Sequence, residues 1–220
     1  MNLMLPLSVF SKLQMCMTLL WIMFLSGCQN TEEKEIVIIS TNDIHGRIEQ
    51  FSKLATFVKR IKEEHPNVIL VDAGDRFTGN PYVDHAKEKG FPIISLMNDL
   101  GYEVGTLGNH EFDFGQKILR ARINDATFPI ICANINSSRG ELDSIPPYHI
   151  IEKDGIKLGF ISFVQTETDQ IPSTNPERLK DITFDHYLDK VEDYKPLKRQ
   201  CDVLIGLTHL GVDKDSILAT

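Results

Sequence analysis

The feature that most restricts the fold of this chain is a regular alternation between short apolar runs and segments with helical spacing. The apolar runs have the length of strands, and they lie at 35–40, 68–71, 103–106, 128–133 and 203–208. The segments with helical spacing lie at 48–64, 91–100, 116–125 and 184–200. Such an alternation indicates βαβ units, in which helices cover a buried sheet.

A hairpin adds antiparallel pairing to this pattern. The dipeptide Asp154-Gly155 separates two strand-like runs, 148–151 and 156–164, and such a dipeptide is typical of a tight hairpin turn. We therefore expect an α/β fold with mixed β-sheet layers flanked by helices.

Composition limits the function classes. The chain has 220 residues, 42% of them hydrophobic and 25% charged, which is enough for one domain, predicted at 36–220, with a sizeable core. The net charge is −8 and no basic stripe is present, so we expect no binding of nucleic acid polymers. An acidic protein that binds phosphate needs a local cation, and metal ions are one source.

The first 28 residues read as an export signal. An apolar run at 13–25 is short for a membrane span and ends in the letters LSGC, residues 25–28. This resembles a bacterial lipoprotein signal that is cut before Cys28, whose thiol is then acylated, and residues 29–35 would form a tether. We expect an exported, membrane-anchored lipoprotein of the periplasm, outer membrane or cell surface. An ordinary secretory signal or a membrane anchor are the alternatives.

Two cysteines remain in the predicted domain. Cys132 and Cys201 each lie in or next to an apolar run, which favours two buried free thiols. An exported protein could also pair them as a disulfide.

Four of the apolar runs end in polar residues of the types that bind metals. Taken singly, such residues usually cap turns or helices, and we assign that role to Asn42 and Asp72. The occurrence of such residues after four of the predicted strands indicates a shared binding site, because the carboxyl ends of strands in an open α/β sheet meet at one place. The candidate residues are Asp43, His45, Asp75, Asn109, His110, Asp113 and His209.

The chemistry of this set is consistent with a catalytic metal site. Carboxylate, imidazole and amide groups without a thiolate suit Mn²⁺, Fe or Zn²⁺ better than a structural zinc, and Ca²⁺ or Mg²⁺ remain open. The two oxygens of Asp75 could bridge two divalent metal ions. Paired ions about 3.5–4 Å apart assist phosphoryl displacement and lower the pKa of bound water.

Four motifs carry a resemblance to a known family. The stretches TNDIHG, GDRFTG, GNHEFDFG and THLG resemble those of the calcineurin-like metallophosphoesterases, and in particular the exported 5′-nucleotidase and 2′,3′-cyclic phosphodiesterase family. The resemblance covers about residues 36–211, and GNHEFDFG is its most specific part. It implies a metal-dependent phosphoesterase that acts on nucleotides or related small phosphate esters.

The resemblance also implies metal ligands. Asp43 and His45 would bind a first ion, Asp75 would bridge both ions, and Asn109 and His209 would bind the second.

Two further residues would serve catalysis rather than metal binding. The resemblance implies that His110 faces the substrate phosphate, where it stabilises charge or protonates the leaving group, and that Asp113 orients it. A carboxylate that holds an imidazole raises its basicity and fixes its tautomer. Glu111 would shape the loop.

The chain departs from the family pattern after His209. Relatives continue with a helix, a strand and a G-H-x-H motif, which would add an imidazole to each ion, and then with a C-terminal domain that binds the nucleobase. No H-x-H is present before the chain ends at Thr220. Three explanations stay open: a truncated gene product, a piece of a longer protein, or a short form that uses ligands or a substrate-binding domain from another protein. The alternative function is a catalytically impaired lipoprotein that keeps the fold and partial metal or phosphate binding.

Overall fold

The computed structural model describes residues 33–167 and 170–219. The predicted signal and the lipid attachment site at Cys28 lie outside the described residues. Within the described ranges, no helix combines the length and the apolar character that a membrane span requires.

Strands and helices alternate through the first half of the domain. The strands are β1 Val37–Thr41, β2 Val68–Asp72, β3 Val104–Thr106, β4 Ile130–Ile131, β5 Ile135–Asn136, β6 Tyr148–Lys153, β7 Ile156–Ile161, β8 Thr183–Phe184 and β9 Val203–Gly206. The α-helices are α1 Phe51–Glu64, α2 Pro81–Asp84, α3 Phe91–Leu100, α4 Gln116–Asp125, α5 Tyr187–Tyr194 and α6 Val212–Leu218. Short 3₁₀ helices lie at Ile48–Gln50, His110–Phe112, Pro176–Leu179 and Lys195–Arg199.

The first sheet is parallel throughout and has the order β1-β2-β3-β4. Its strand β2 is buried at every position, which explains why the sequence VILV is a continuous apolar run. Helices pack on this sheet through a large apolar cluster that includes Leu70, Ile94 and Leu119. The α/β fold with helices outside the sheet is confirmed.

The last apolar run forms part of a second sheet. Strand β9 pairs in parallel with β7, and β7 pairs with β6 in the predicted hairpin. The turn of that hairpin has positive φ at both Asp154 (51°) and Gly155 (73°), as a tight hairpin of this kind requires. A third, two-stranded sheet joins β5 and β8.

The two larger sheets are packed face to face by a shared apolar cluster. Its buried members come from both sheets: Ile69, Val71, Val104, Ile131, Ile151, Leu158, Phe160 and Leu207. This packing brings the carboxyl end of β9 towards the carboxyl ends of β1, β2 and β3. The strand ends that carry the candidate residues therefore meet through the packing of two sheet layers, in agreement with the predicted mixed β-sheet layers.

Several predicted boundaries need correction. The helix predicted at 184–200 is shorter, because Phe184 pairs in β8, His186 caps the start of α5, and Pro196 accompanies a change to 3₁₀ geometry. The strand predicted at 128–133 is paired only at Ile130–Ile131. The helices at 91–100 and 116–125 have the predicted bounds.

Both cysteines of the domain are free thiols. Cys132 is buried, and this burial raises the pKa of its thiol to about 12, whereas Cys201 is only partly buried. Because the thiolate is the reactive form, we expect iodoacetamide to modify Cys201 much faster than Cys132 in the native protein at pH 8. Peptide mapping by mass spectrometry measures both rates, and unfolding in guanidinium should make them equal. Equal rates in the native protein, or a mass loss that marks a disulfide, would contradict this expectation.

Candidate metal centre

The loop after β1 lies directly on the loop after β2. The backbone N–H of Asp43 donates to the carbonyl of Gly74 at 3.1 Å, and that of His45 donates to the carbonyl of Asp75 at 3.0 Å. Asp43, His45 and Asp75 all have positive φ, at 53°, 48° and 54°. These left-handed conformations are uncommon for residues other than glycine, and they cluster at functional sites.

Asp75 lies at the centre of the candidate site. It is 3% exposed, and its Oδ1 accepts a hydrogen bond from the backbone N–H of His110 at 2.9 Å. Gly108 makes this close approach feasible, because a Cβ at that position would clash with Oδ1 of Asp75. The glycine of the GNHE motif is therefore required by packing against the central carboxylate.

Glu111 fastens the loops after β2 and β3 to each other. It is fully buried, and its carboxylate accepts backbone hydrogen bonds from Asp75 (2.8 Å), Arg76 (2.8 Å) and Gly108 (2.6 Å). A buried carboxylate needs such partners, since burial without them is costly. The expectation that Glu111 shapes the loop was too narrow, because its contacts reach across to the neighbouring loop.

The ring orientation of two histidines leaves one nitrogen of each available for a metal ion. Nδ1 of His209 lies 2.9 Å from the carbonyl oxygen of Ala73, and Nδ1 of His45 lies 3.2 Å from that of Thr78. A hydrogen bond from Nδ1 to a carbonyl is the usual arrangement for a histidine that binds metal through Nε2.

The distances between candidate ligand atoms fit metal coordination. Nε2 of His209 lies 3.2 Å from Oδ2 of Asp75, and Nε2 of His45 lies 3.5 Å from Oδ1 of Asp43 and 3.9 Å from Oδ2 of Asp75. Two ligands that each lie about 2.1 Å from one ion are roughly 3.4 Å apart in tetrahedral geometry. The residues present therefore fit a divalent metal ion.

Two groups of side chains that could hold a metal ion share Asp75. One contains His45, Asp75 and His110, and the other contains Asp43, Asp75 and His209. The sequence placed His110 outside the ligand set, whereas the geometry brings it within reach of the first group. The ring of His110 packs edge to face against that of His45, with 4.9 Å between centroids.

Asn109 lies at the edge of the same site. Its side-chain Nδ2 donates to the carbonyl of Ser173 at 3.0 Å. A cavity of about 460 Å³ opens beside it and is lined by Asp43, His209, Gln165 and other polar residues.

Electrostatics at the centre favour positive charge. Burial alone would raise the pKa of Asp75, but the hydrogen bond and charge of His209 hold that pKa below its ordinary value. Burial alone would lower the pKa of His209, yet the Asp75 carboxylate raises it to about 9. The negative charge that holds a proton on His209 would equally attract a divalent cation.

His110 is held by Asp113, as the sequence implied. Nδ1 of His110 lies 2.6 Å from Oδ2 of Asp113. Burial acts to lower the pKa of His110, and the hydrogen bond with Asp113 outweighs it, so that the pKa is raised. Asp113 also accepts hydrogen bonds from the hydroxyls of Thr78 (3.0 Å) and Thr174 (2.9 Å). Neither threonine was among the candidate residues predicted from the sequence.

A buried ion pair lies beneath the centre and was also missed. Asp72 and Arg76 are both fully buried, with 2.7 Å between Oδ2 and Nη2, and Arg76 also donates to the carbonyl of Thr106. Burial raises the pKa of Asp72 against the opposing charge of Arg76. Asp72 accepts from the N–H of Gly74 at 3.3 Å, so the predicted turn-capping role describes only part of its contacts.

With this geometry established, the chain can be assigned to a family. Residues 36–218 match the model of the calcineurin-like phosphoesterases, and the chain belongs to that family.

Its relatives are named as nucleotide-processing enzymes. The chain is 31% identical over 214 residues to a trifunctional nucleotide phosphoesterase protein, YfkN, of Bacillus subtilis (strain 168), and 32% identical over 211 residues to a 5′-nucleotidase of Rattus norvegicus. These matches cover 81% and 84% of this chain. The crystal structure of a 5′-nucleotidase precursor from Thermus thermophilus superposes with a TM-score of 0.73 and 25% identity over 82% of this chain.

All three relatives are considerably longer than the matched region. The chain spans 14% of the Bacillus protein, 35% of the rat enzyme and 38% of the Thermus structure. The similarity therefore concerns one part of each relative.

Glu111→Gln tests the connection between the two loops. The amide of Gln keeps one acceptor and turns a donor towards backbone N–H groups, so we expect the free energy of unfolding to fall by about 2 to 3 kcal/mol. Urea denaturation followed by circular dichroism measures this. The control is Glu141→Gln. Glu141 is exposed, and it takes part in its described hydrogen bonds through its own backbone N–H and carbonyl only. Similar stability of both variants would show that the Glu111 contacts contribute little.

Proposed function

We propose that this chain is the metal-binding, catalytic part of a phosphoesterase that uses two divalent metal ions. The observation that carries the proposal is the sharing of buried Asp75 between two groups of ligand-type side chains. A bridging carboxylate is what a pair of closely spaced ions requires. Mn²⁺, Zn²⁺ and Fe suit the oxygen and nitrogen donors best, and the identity of the ions is part of what the experiment must determine.

The proposed ligands follow the order of the motifs. Asp43 and His45, whose ligand atoms lie 3.5 Å apart, would hold one ion, Asn109 and His209 the other, and Asp75 both. Asp43 also lies within reach of the group that contains His209, so it stands between the two proposed ions. Bound divalent ions supply positive charge that stabilises a phosphoryl transition state and that lowers the pKa of water.

His110 is proposed as the residue that acts on the substrate. Its Nδ1 is engaged by Asp113, so Nε2 is left to donate a proton to a phosphate oxygen or to the leaving oxygen. The Nδ1 contact alone would also suit a metal ligand, and we favour proton donation because the hydrogen bond with Asp113 raises the pKa of His110 and because the motif order implies this role. A positively charged or proton-donating group at this place complements the anionic substrate.

Nucleotides are the proposed substrates. The support comes from the relatives, which are named as a nucleotide phosphoesterase and 5′-nucleotidases. The cavity beside Asn109 and His209 has room for a phosphate ester. We further propose that a separate substrate-binding domain protein recognises the base. The net charge of −8 disfavours binding of nucleic acid polymers.

Metal content and turnover, measured on the same samples, test the proposal. After loading with Mn²⁺, Zn²⁺ or Fe²⁺ and desalting, we expect close to two ions per chain and release of inorganic phosphate from AMP. Asp75→Asn should lose most of the bound metal, because the bridging charge is removed. His110→Ala should keep the metal but lose about 100-fold or more in rate.

The control is His85→Ala, which changes an exposed histidine at the end of α2. It should match the wild type in both measurements. Two bound ions without turnover at any metal loading would favour the alternative of a non-catalytic, metal-binding lipoprotein. Equal turnover in wild type, Asp75→Asn and His110→Ala would refute the enzyme proposal.

We also propose that the protein is exported and lipidated at Cys28. The support is the apolar run that ends in LSGC. In a bacterial host fed with radiolabelled palmitate, the wild type should incorporate label and partition with membranes, and Cys28→Ser should do neither. Cys16→Ser is the matched control, because it changes a cysteine inside the same segment. Label retained in Cys28→Ser would exclude this attachment site.

A further inference from the structure

We propose that Thr174 is a positioning residue that fixes the Asp113–His110 pair from outside the metal-binding motifs. The inference rests on the proposed function in one respect, namely that His110 acts on the substrate. It goes beyond that function because Thr174 belongs to none of the four motifs and lies 61 residues along the chain from Asp113.

The two oxygens of the Asp113 carboxylate have different partners. Oδ2 holds Nδ1 of His110 at 2.6 Å and also accepts from Thr78 at 3.0 Å. Oδ1 accepts from the hydroxyl of Thr174 at 2.9 Å. The torsion of a carboxylate about its Cβ–Cγ bond is broad, so a partner on one oxygen alone does not fix its plane. The hydrogen bond from Thr174 to Oδ1 is the second contact, and it fixes the plane of the carboxylate.

Ser173, the residue before Thr174, also contacts the candidate site. The carbonyl of Ser173 accepts from the side-chain Nδ2 of Asn109 at 3.0 Å. The Ser173–Thr174 pair therefore contacts the residue before His110 and the residue that orients it. Further along, Gln116 Nε2 donates to the carbonyl of Lys180 at 2.7 Å, which ties the same part of the chain to the start of α4.

Thr174 can be tested more cleanly than Thr78. The hydroxyl of Thr78 contacts both His110 (3.2 Å) and Asp113, its carbonyl contacts His45, and its φ is positive at 55°. Any substitution at Thr78 would therefore disturb a proposed metal ligand as well. Thr174 is half-buried, and of the proposed site residues its described side-chain contact is with Asp113 alone.

The test compares Thr174→Val, which keeps the shape and removes the hydroxyl, with Thr174→Ser, which keeps the hydroxyl. With the wild-type chain and AMP as reference, we expect Thr174→Val to lower kcat about 10-fold, because His110 would be held less firmly in the geometry that proton transfer requires. Metal content should stay at the wild-type value and KM should change little. Thr174→Ser should restore most of the rate. Thr56→Val, which removes a hydroxyl bonded to a helix carbonyl at 2.9 Å, is the matched control.

A double-substitution cycle separates positioning from general structural damage. In an Asp113→Ala background, which has no acceptor for the hydroxyl, Thr174→Val should cause little further loss, because the two residues act through the same hydrogen bond. Fully additive losses would overturn the inference. So would a Thr174→Ser variant as slow as Thr174→Val, or a Thr174→Val variant as fast as the wild type.

A spectroscopic measurement decides the inference even without turnover. In ¹⁵N-histidine spectra of the zinc-loaded protein at fixed pH, Thr174→Val should shift the Nδ1 resonance of His110. That of His65, which faces Glu35 at 2.8 Å, should stay in place as an internal reference. If wild type releases no phosphate, the proposed function fails, while a shifted His110 resonance would still support the role of Thr174. An unchanged resonance would refute it.

Discussion

The candidate centre depends on one buried carboxylate that is not itself a proposed ligand. Glu111 accepts hydrogen bonds from the backbone N–H groups of Asp75, Arg76 and Gly108, and so holds two loops at a fixed separation. The backbone N–H of His110, the residue just before it, donates to the side chain of Asp75. Each loop therefore positions the other, and the place of Asp75 follows from contacts made within the protein.

Such contacts are needed because the local backbone is strained. Asp43, His45, Asp75 and Thr78 all have positive φ, and a left-handed residue other than glycine costs about 1 kcal/mol or more. Asp and His tolerate these conformations better than most residues, and the surrounding hydrogen bonds offset the cost that remains. The hydrogen bonds from Asp43 and His45 to the carbonyls of Gly74 and Asp75 do so between loops. Three of these four residues, Asp43, His45 and Asp75, are proposed ligands, so part of the backbone strain lies in the candidate site itself.

The sequence predicted the parts of the molecule that local signals determine. The helix Phe91–Leu100 has its predicted bounds because Gly90 and Gly101 both adopt left-handed conformations at its ends. The ligand-type residues were found because each follows an apolar run. By contrast, Thr174 lies in a segment without a motif, and strands β5 and β8 have two residues each, too few for a periodic signal. Such features are created by tertiary contact, so no local pattern could reveal them.

His209 shows most clearly how the fold determines the site. It follows β9, which belongs to the second sheet, so no strand pairing connects it with the loop that contains Asp75. Apolar side chains between the sheets, such as Val71 and Phe160, set the distance that this histidine must cross. Its Nδ1 contact with the carbonyl of Ala73 then fixes the ring. The geometry between His209 and Asp75 is therefore a property of sheet packing as much as of the loops. A core substitution that shifts one layer against the other would change the candidate site without touching any of its residues.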